Sequence, residues 1–283
     1  MQITLLGTGA NECIPAFRCK CPVCEHARKN GGKNIRQNSS VFIRNNDGSN
    51  LLIDMPPQII SLLRNSRIDD SSLANVLFTH RHEDHILGAR YLFQNVEEKG
   101  FIQKYKVNIY MPESAYWSMS GKFLYNKSAH KLKTITNSYE INFVKSYSSF
   151  KISDFNITAL ETNHLKEKGS GKEDETLGYM IKNAYNTTFV YLLDAAKILP
   201  DKTIEILCKN NIDLIIADCT YKVTRNYTGH SDIEGAIELR KRINPKKMII
   251  SHIGHQNMNH EDLELTMKQY DIEVGFDGME FLL

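Results

Sequence analysis

The chain has 283 residues, 41% of them apolar and 24% charged, a composition typical of a globular protein with a sizeable core. This length allows one large α/β domain or two small ones, and we predict a single domain over residues 1–283. The net charge is +2, with lysine and arginine scattered among acidic residues, which argues against a general nucleic-acid-binding surface.

The first residues, MQITLL, lack the charged segment and the long apolar stretch of a signal peptide. No apolar run approaches the roughly 18 residues that a membrane-spanning helix needs. We therefore predict a cytoplasmic protein with no membrane partner. Cysteines seldom form disulfides in that compartment.

Residues 2–7 predict a strand that runs into Gly7-Thr8-Gly9. These glycines lack the longer spacing of a phosphate-binding loop. We expect them to let the backbone pass close to a neighbouring element.

A cysteine cluster follows, with Cys19, Cys21 and Cys24 at C-x-C-x-x-C spacing. Three thiolates from one loop can share a tetrahedral zinc ion whose fourth ligand comes from elsewhere in the chain. Reduced surface cysteines without a metal are the alternative. A redox function is disfavoured, because no helix N-terminus obviously follows to lower the thiol pKa. The other three cysteines, Cys13, Cys208 and Cys219, are left unassigned.

Residues 38–46 and 50–54 predict a β-hairpin around Asp47-Gly48. The second strand ends at Asp54. This carboxylate suits the N-cap of a helix beginning near Pro56.

The most informative stretch is THRHEDH at residues 79–85, directly after the apolar run ANVLF that predicts a strand. Imidazole and carboxylate groups are ligands that Zn²⁺, Mn²⁺ and Fe accept. His80 and His82 are two residues apart and can bind one ion from an extended segment. Asp84 and His85 fall where a helix would begin and can face a second ion.

The rest of the chain alternates between predicted helices and strands. A helix is expected over Ile86–Glu98, a strand over Lys106–Met111 and two or three strands within 139–161. Residues 112–138 are a possible cap over the site or a packing insertion, and residues 165–175 are a polar loop. The later predictions are strands over Phe189–Leu193, Leu214–Ala217 and Met248–Ser251, a helix ending near Lys209 and a helix over 232–243.

The motif His80-x-His82-x-Asp84-His85 resembles the signature of the metallo-β-lactamase superfamily. The resemblance implies an α/β fold, a four-layer αββα sandwich of two mixed sheets flanked by helices. It also implies that a His, an Asp and another His follow later strands, and the chain supplies His164, Asp194 and His252 in that order. On this resemblance one ion is held by His80, His82 and His164, the other by Asp84, His85 and His252, with Asp194 bridging. Asp54 then orients a ligand histidine.

Within the superfamily, the cysteine cluster together with His255 and His230 resembles the phosphoribosyl cyclic phosphate phosphodiesterases of phosphonate breakdown. This resemblance implies a structural zinc ion bound by Cys19, Cys21, Cys24 and His255, and a metal-dependent phosphoric diester hydrolase with two Zn or Mn ions. His230 is the expected proton donor to the leaving oxygen, and Asp84 is expected to accept a proton after attack. The pyrroloquinoline-quinone biosynthesis proteins share a similar cysteine cluster.

The expected substrate is therefore a small, cyclic ribosyl phosphodiester. A tRNA 3′-processing endonuclease uses the same metal ligands but needs a basic arm for tRNA, and no long basic insertion is present. A non-catalytic cofactor-biosynthesis accessory protein is a further alternative, which loss of metal ligands would favour. We expect no nucleic-acid partner and a possible homodimer.

Overall fold

In a computed structural model of the protein, the described residues are 1–94, 106–121, 139–164, 175–224 and 229–283. The strands are β1 (Gln2–Gly7), β2 (Ser40–Arg44), β3 (Asn50–Ile53), β4 (Asn75–Leu77), β5 (Val107–Met111), β6 (Tyr139–Phe143), β7 (Ser149–Ile152), β8 (Phe155–Glu161), β9 (Leu177–Lys182), β10 (Thr188–Leu192), β11 (Leu214–Asp218), β12 (Lys247–Ser251), β13 (Glu273–Val274) and β14 (Met279–Leu282). The α-helices are α1 (Pro22–Asn30), α2 (Ile59–Asn65), α3 (Glu83–Ile86), α4 (Arg90–Gln94), α5 (Glu113–Met119), α6 (Asp201–Cys208), α7 (Ile233–Ile243) and α8 (His260–Lys268). Among these residues no helix has the length and apolar character required to cross a bilayer.

The strands form two mixed sheets of seven strands each. The first sheet has the order β14-β1-β2-β3-β4-β5-β6, and the second has the order β13-β12-β11-β10-β9-β8-β7. In each sheet one half is antiparallel and the other half parallel. Parallel strands end at the same edge of a sheet, and ligand sites commonly lie at such edges.

Three apolar clusters show how the layers pack. The central cluster joins side chains of both sheets, such as Ile43 of β2 and Phe155 of β8. A second cluster lies between the first sheet and α2 to α5. A third lies between the second sheet and α1, α6, α7 and α8. The order of layers is therefore helix, sheet, sheet, helix, which confirms the predicted αββα sandwich of two mixed sheets.

The sequence of β10 reflects its position between two apolar cores. Successive side chains of a strand point to opposite faces. Phe189 and Tyr191 enter the central core, whereas Val190 and Leu192 enter the core beneath the helices. A strand with both faces buried needs this continuous apolar run.

The hairpin and the glycine turn agree with the sequence predictions. Strands β2 and β3 pair antiparallel across the Asp47-Gly48 turn, with Val41 opposite Ile53. Gly7 passes so close to Asn38 that an added Cβ would lie 2.0 Å from the Asn38 carbonyl oxygen. Only glycine fits there.

Two helix predictions need correction. The helix expected near Pro56 begins at Ile59, and Gln58 rather than Asp54 occupies its N-cap position. The helix expected over Ile86–Glu98 is broken, since α3, a 3₁₀ turn at Leu87–Ala89 and α4 follow one another, and residues 95–98 lie outside the described residues. Gly88 explains the break, because its amide donates to the Met55 carbonyl and an added Cβ would lie 2.4 Å from the Pro56 oxygen.

Three strands were not predicted, namely β9, β13 and β14. Strand β14 pairs with β1 at the edge of the first sheet, and β13 has only two residues. Of the possible cap over 112–138, the structure describes α5, and residues 122–138 lie outside the described residues. The proposed cap therefore stays a prediction, as does the polar loop over 165–175, of which 165–174 is outside the described residues.

Candidate metal centre

The predicted ligand residues come together where strands of both sheets end. His80, His82, Asp84 and His85 follow β4, and in the other sheet His164 follows β8, Asp194 follows β10 and His252 follows β12. Asp194 and His252 adopt left-handed backbone conformations, with φ of 47° and 58°. Such conformations cost free energy in residues other than glycine, and they recur at functional sites.

The ligand atoms form two groups on either side of Asp194. His80, His82, His164 and Asp194 form one group, and Asp84, His85 and His252 form the other, with all ligand atoms of a group within 4.8 Å of one another. Nδ1 of His82 lies 3.2 Å from Nε2 of His164.

The two carboxylate oxygens of Asp194 face different groups. Oδ1 lies 3.7 Å from His80 Nε2 and 3.5 Å from His164 Nε2. Oδ2 lies 3.1 Å from His85 Nε2 and 3.4 Å from His252 Nε2. This side chain is therefore placed to contact two ions at once.

Asp54 and Thr79 orient two of the ligand histidines through hydrogen bonds to their Nδ1 atoms. The Thr79 hydroxyl donates to Asp54 Oδ2 (2.9 Å), so its oxygen accepts the Nδ1 hydrogen of His80 at 2.9 Å. Asp54 also accepts from Nδ1 of His85 at 2.7 Å. Because both Nδ1 atoms carry a hydrogen, Nε2 is the nitrogen of each ring that is left to bind a cation.

A matching pair supports the other side of the site. The Thr220 hydroxyl donates to Asp218 Oδ1 (2.8 Å) and accepts from Nδ1 of His252 at 2.9 Å. The second oxygen of Asp218 accepts from Nδ1 of His230 at 2.9 Å. His164 is held by its own contact, since its Nδ1 donates to the Gly229 carbonyl at 2.9 Å.

Several buried ligand atoms have no hydrogen-bond partner among the described residues: Nε2 of His80, His85 and His252, and Oδ2 of Asp194. A buried polar atom without a partner is costly. Divalent cations would satisfy all four atoms. The donor set therefore fits bound metal, and three imidazoles or a carboxylate with two imidazoles are ligand sets that zinc accepts.

The electrostatics of the first group favour neutral imidazoles. Burial lowers the pKa of His80 and of His82, and it lowers the pKa of His164 to about 4. Metal ligands must be deprotonated. These three histidines are therefore ready to bind a cation near neutral pH.

The second group holds excess negative charge. Burial opposes protonation of His85, but Asp194, Asp84 and Asp54 together raise its pKa well above the usual value. Burial likewise opposes ionisation of Asp194, yet His252, His85 and His80 hold its pKa well below the usual range. A cation bound here would replace the proton of His85.

His230 lies beside this group. Its ring stacks on His252, with centroids 5.0 Å apart, and meets His164 edge-on at 4.4 Å. Burial opposes its protonation, but Asp218 raises the pKa of His230 to about 9. The residue predicted as proton donor thus lies in contact range of the ligands.

A pocket of about 370 Å³ opens onto the centre. Besides ligands and His230, it is lined by Ala10, Asn11, Glu12, Glu83, Thr220 and Tyr221. The turn at residues 10–12 follows β1, so the first strand of the chain reaches the site.

The cysteine cluster forms a separate centre near α1. One ligand atom from each of Cys19, Cys21, Cys24 and His255 lies within 4.8 Å of the others. Nδ1 of His255 is 3.3 Å from Cys19 Sγ and 3.5 Å from Cys21 Sγ. Three thiols and one imidazole suit a tetrahedral zinc ion.

The expectation that no helix N-terminus follows these cysteines is wrong. Helix α1 begins at Pro22, and Cys21 is its N-cap residue, whose sulfur accepts from the Cys24 amide. The Cys21 amide also donates to Cys19 and lowers the pKa of that thiol to about 7, whereas burial raises the pKa of Cys24 to about 12. What favours a metal here is that three sulfurs converge with His255.

Three residues of the site were not predicted from the sequence: Thr79, Asp218 and Thr220. One signal was present: Asp54 and Asp218 each close a run of apolar residues that forms a strand. Asp218 is thus the counterpart of Asp54 in the other sheet.

The fold and the site together define the class of protein. The metallo-β-lactamase fold protein YhfI of Bacillus subtilis shares 17% identity and a TM-score of 0.71, covering 99% of this chain and 98% of that chain. A diphosphatase of the PhnP family shares 19% identity and a TM-score of 0.75, covering 100% of this chain and 97% of that chain. Zn²⁺-bound PqqB from Methylobacterium extorquens shares 17% identity and a TM-score of 0.80, covering 100% of each chain. The chain has the metallo-β-lactamase fold, with candidate metal-binding groups of histidine and aspartate at the strand ends.

A family model matches most of the sequence. The model of the anti-Pycsar protein Apyc1 family matches residues 31–270, and the chain belongs to this family. Coenzyme PQQ synthesis protein B of Acinetobacter baumannii (strain AYE) is 22% identical over 319 aligned positions, which cover the whole of both chains.

Proposed function

We propose that the protein is a phosphodiesterase with two divalent metal ions, Zn or Mn, that hydrolyses a small phosphodiester, and that the substrate is a cyclic ribosyl phosphate. The observation that carries this proposal is the placement of Asp194 between two ligand groups, with His230 at the edge of the pocket. Two metal ions about 3.5–4 Å apart lower the pKa of bound water toward 7 and stabilise the attacking and leaving oxygens of an in-line displacement.

The protein's own residues supply the remaining chemistry. Nδ1 of His230 is held by Asp218, so Nε2 is the nitrogen that would donate a proton to the leaving sugar oxygen. A positioned imidazole contributes about 10²–10⁴-fold to such a step. Asp84 lines the same pocket and would accept the proton released on attack.

Two further features support a substrate like that of the phosphoribosyl cyclic phosphate phosphodiesterases. The convergence of Cys19, Cys21, Cys24 and His255 supports a structural zinc ion of the expected kind. The structural likeness to a diphosphatase of the PhnP family points in the same direction. We propose a small-molecule substrate, with neither nucleic acid nor a membrane as partner.

A non-catalytic role in cofactor biosynthesis is the competing function, because the chain aligns over its whole length with coenzyme PQQ synthesis protein B. The full ligand set and the Asp218–His230 pair argue for catalysis instead. A tRNA-processing endonuclease is the other alternative.

The test is turnover by the purified, Mn²⁺-supplemented protein on a panel of phosphate substrates. The panel holds ribosyl 1,2-cyclic phosphate, 2′,3′-cyclic nucleotides, a linear aryl diester, a nucleoside diphosphate and a pre-tRNA. We expect rapid opening of a cyclic diester. Cleavage of pre-tRNA alone would support the endonuclease, and silence across the panel with both metals bound would overturn the phosphodiesterase assignment.

A further inference from the structure

Part of the pocket lining is neither a metal ligand nor His230. It is made by Ala10, Asn11, Glu12, Glu83, Thr220 and Tyr221. Glu12 lies close enough to Tyr221 for its charge to contribute to a raised pKa of that phenol, after the larger effect of burial. Among the described residues that line the pocket there is no lysine or arginine.

The turn that carries Glu12 is fixed to the site by several hydrogen bonds. The side-chain amide of Asn38, which is 3% exposed, donates to the carbonyls of Ala10 (2.8 Å) and Asn11 (2.9 Å). The Ala10 amide donates to the carbonyl of Ile253, the residue after His252. The Cys13 amide donates back to the Ala10 carbonyl and closes the turn. These bonds hold the backbone of the turn at the pocket, which the exposed side chain of Glu12 lines.

The charge of the ligand changes during the proposed reaction. A phosphodiester carries one negative charge at neutral pH. Hydrolysis adds water across one P–O bond and gives a monoester, whose second pKa of about 6 leaves it with close to two negative charges. A carboxylate that lines a pocket repels a doubly charged ligand more strongly than a singly charged one.

We propose that Glu12 is a specificity-determining residue that disfavours phosphate groups with a second negative charge. It thereby selects diesters over monoesters and weakens binding of the enzyme's own product. This inference rests on the proposed diesterase function for its biological meaning, whereas the charge selection itself is a property of the pocket.

The test is calorimetric binding of two matched ligands, dimethyl phosphate and methyl phosphate, to the Mn²⁺-loaded protein at pH 7.5 and low ionic strength. Replacing Glu12 by Gln removes the charge and keeps the size of the side chain. We expect Glu12→Gln to tighten methyl phosphate binding by about three- to tenfold, the range expected for one carboxylate partly screened by water. Binding of dimethyl phosphate should change by a much smaller factor, and the difference between the ligands should shrink at 1 M salt, where the Debye length is about 3 Å.

Two control variants separate charge from structure. Glu12→Asp keeps the charge and should behave like the wild type. Glu238→Gln removes one negative charge from an exposed position of α7 outside the pocket lining, and should leave both affinities unchanged. Equal changes for both ligands in Glu12→Gln, or a change that salt does not reduce, would overturn the proposal.

The binding readout keeps this inference distinct from the proposed function. If the protein hydrolyses no diester but Glu12→Gln still tightens only methyl phosphate, the charge selection stands and the diesterase assignment falls. If diesters are hydrolysed and the ratio of affinities is unchanged in Glu12→Gln, the selection by Glu12 is wrong.

Discussion

At the scale of single residues, hydrogen bonds behind the metal centre decide what each imidazole can do. Asp54 with Thr79 and Asp218 with Thr220 form two equivalent pairs, one from each sheet. Each pair directs histidine Nε2 atoms into the site. One difference separates them: Asp218 also holds His230. We therefore expect the first pair to act on metal affinity and the second to act on turnover as well.

Replacing His230 by Ala should lower kcat by about 10²–10⁴-fold, because the leaving oxygen loses its proton donor. The KM and the metal content per chain, measured by elemental analysis, should change little. His26→Ala on α1 is the matched control, as it removes a partly exposed histidine bonded to Glu261, away from the pocket. Full activity in His230→Ala would rule out this role.

Replacing Asp54 by Asn should weaken metal binding by about 10–100-fold, since outer hydrogen bonds fix ligand tautomers. Competition with a chromogenic chelator measures this affinity. Asp218→Asn should weaken metal binding in the same way and also lower the kcat of fully loaded enzyme. Asp47→Asn in the exposed hairpin turn is the control. Metal affinity equal to the wild type in Asp54→Asn would contradict the assigned role.

His260, outside the metal centre, should make the protein sensitive to acid. Its side chain is buried beside the Arg36 guanidinium, with Nδ1 3.0 Å from Arg36 Nη2, and Lys33, Glu261 and Glu264 also act on it. Burial, followed by Arg36, lowers the pKa of His260 to about 4. The unfolded chain binds this proton near pH 6.5 and the folded chain near pH 4. The free energy of unfolding should therefore fall as the pH drops from 6.5 to 4, by at most about 1.4 kcal/mol per pH unit for one group.

The measurement is urea unfolding across this pH range for wild type and His260→Gln. The variant should lose the contribution of one group, at most about 1.4 kcal/mol per pH unit, whatever its stability at pH 7, while the buried histidines His80, His82 and His164 keep theirs. The same slope in both proteins would show that His260 does not carry the effect. His26→Gln again serves as the control for a partly exposed histidine.

At the scale of secondary-structure elements, we expect the stability of α1 to depend on the cysteine centre. The helix has nine residues and buries only Cys24 and Ala27 among its side chains. Short helices are marginal without tertiary support. Its N-cap is Cys21, a proposed zinc ligand, and His255 ties that end of the helix to the loop after β12.

Replacing Cys21 by Ser or His255 by Ala should therefore remove one zinc ion per chain and lower Tm. A loss of a few kcal/mol corresponds to roughly 5–10 °C for a domain of this class, at about 2–4 °C per kcal/mol. Native mass spectrometry gives the zinc count and calorimetry gives Tm. Cys208→Ser changes an exposed cysteine and should alter neither quantity. Unchanged zinc content in both site variants would exclude the structural zinc.

At the scale of the whole molecule, the metal centre joins the two sheets. The first sheet contributes His80, His82, Asp84 and His85, and the second contributes His164, Asp194 and His252. Ions bound by these residues would therefore stabilise the packing of one sheet on the other as well as the site. Ligand binding to the folded state raises stability by mass action.

Free Mn²⁺ at about 100 times its dissociation constant should stabilise the protein by about 2.7 kcal/mol per ion. Tm should rise with metal concentration by several degrees, and a chelator should reverse the rise. Asp194→Asn, which contacts both ligand groups, should abolish most of this dependence. A Tm that does not respond to metal or chelator would contradict the bridging arrangement.

Much of the fold was predictable because its signals are local. The apolar runs of β4, β10, β11 and β12 read directly as strands, and the Asp-Gly turn fixed the hairpin. The missed strands lack such signals. Strand β13 has two residues, and β14 exists because it pairs with β1 from the other end of the chain. The helix break at Gly88 likewise depends on contact with Met55 and Pro56.

The sequence by itself determined the chemistry available to this protein: which residues end strands, which of them carry imidazole, carboxylate or thiol groups, and hence which metals and reactions suit them. Only the tertiary structure decided how those groups are paired. The packed structure brings Asp218 into a hydrogen bond with His230, makes Cys21 the N-cap of α1, and places the Asn38 side chain against the turn that carries Glu12. The physical reason is distance along the chain. Ligand type is a property of one residue, whereas a hydrogen bond between loops of different strands exists only after the sheets have packed.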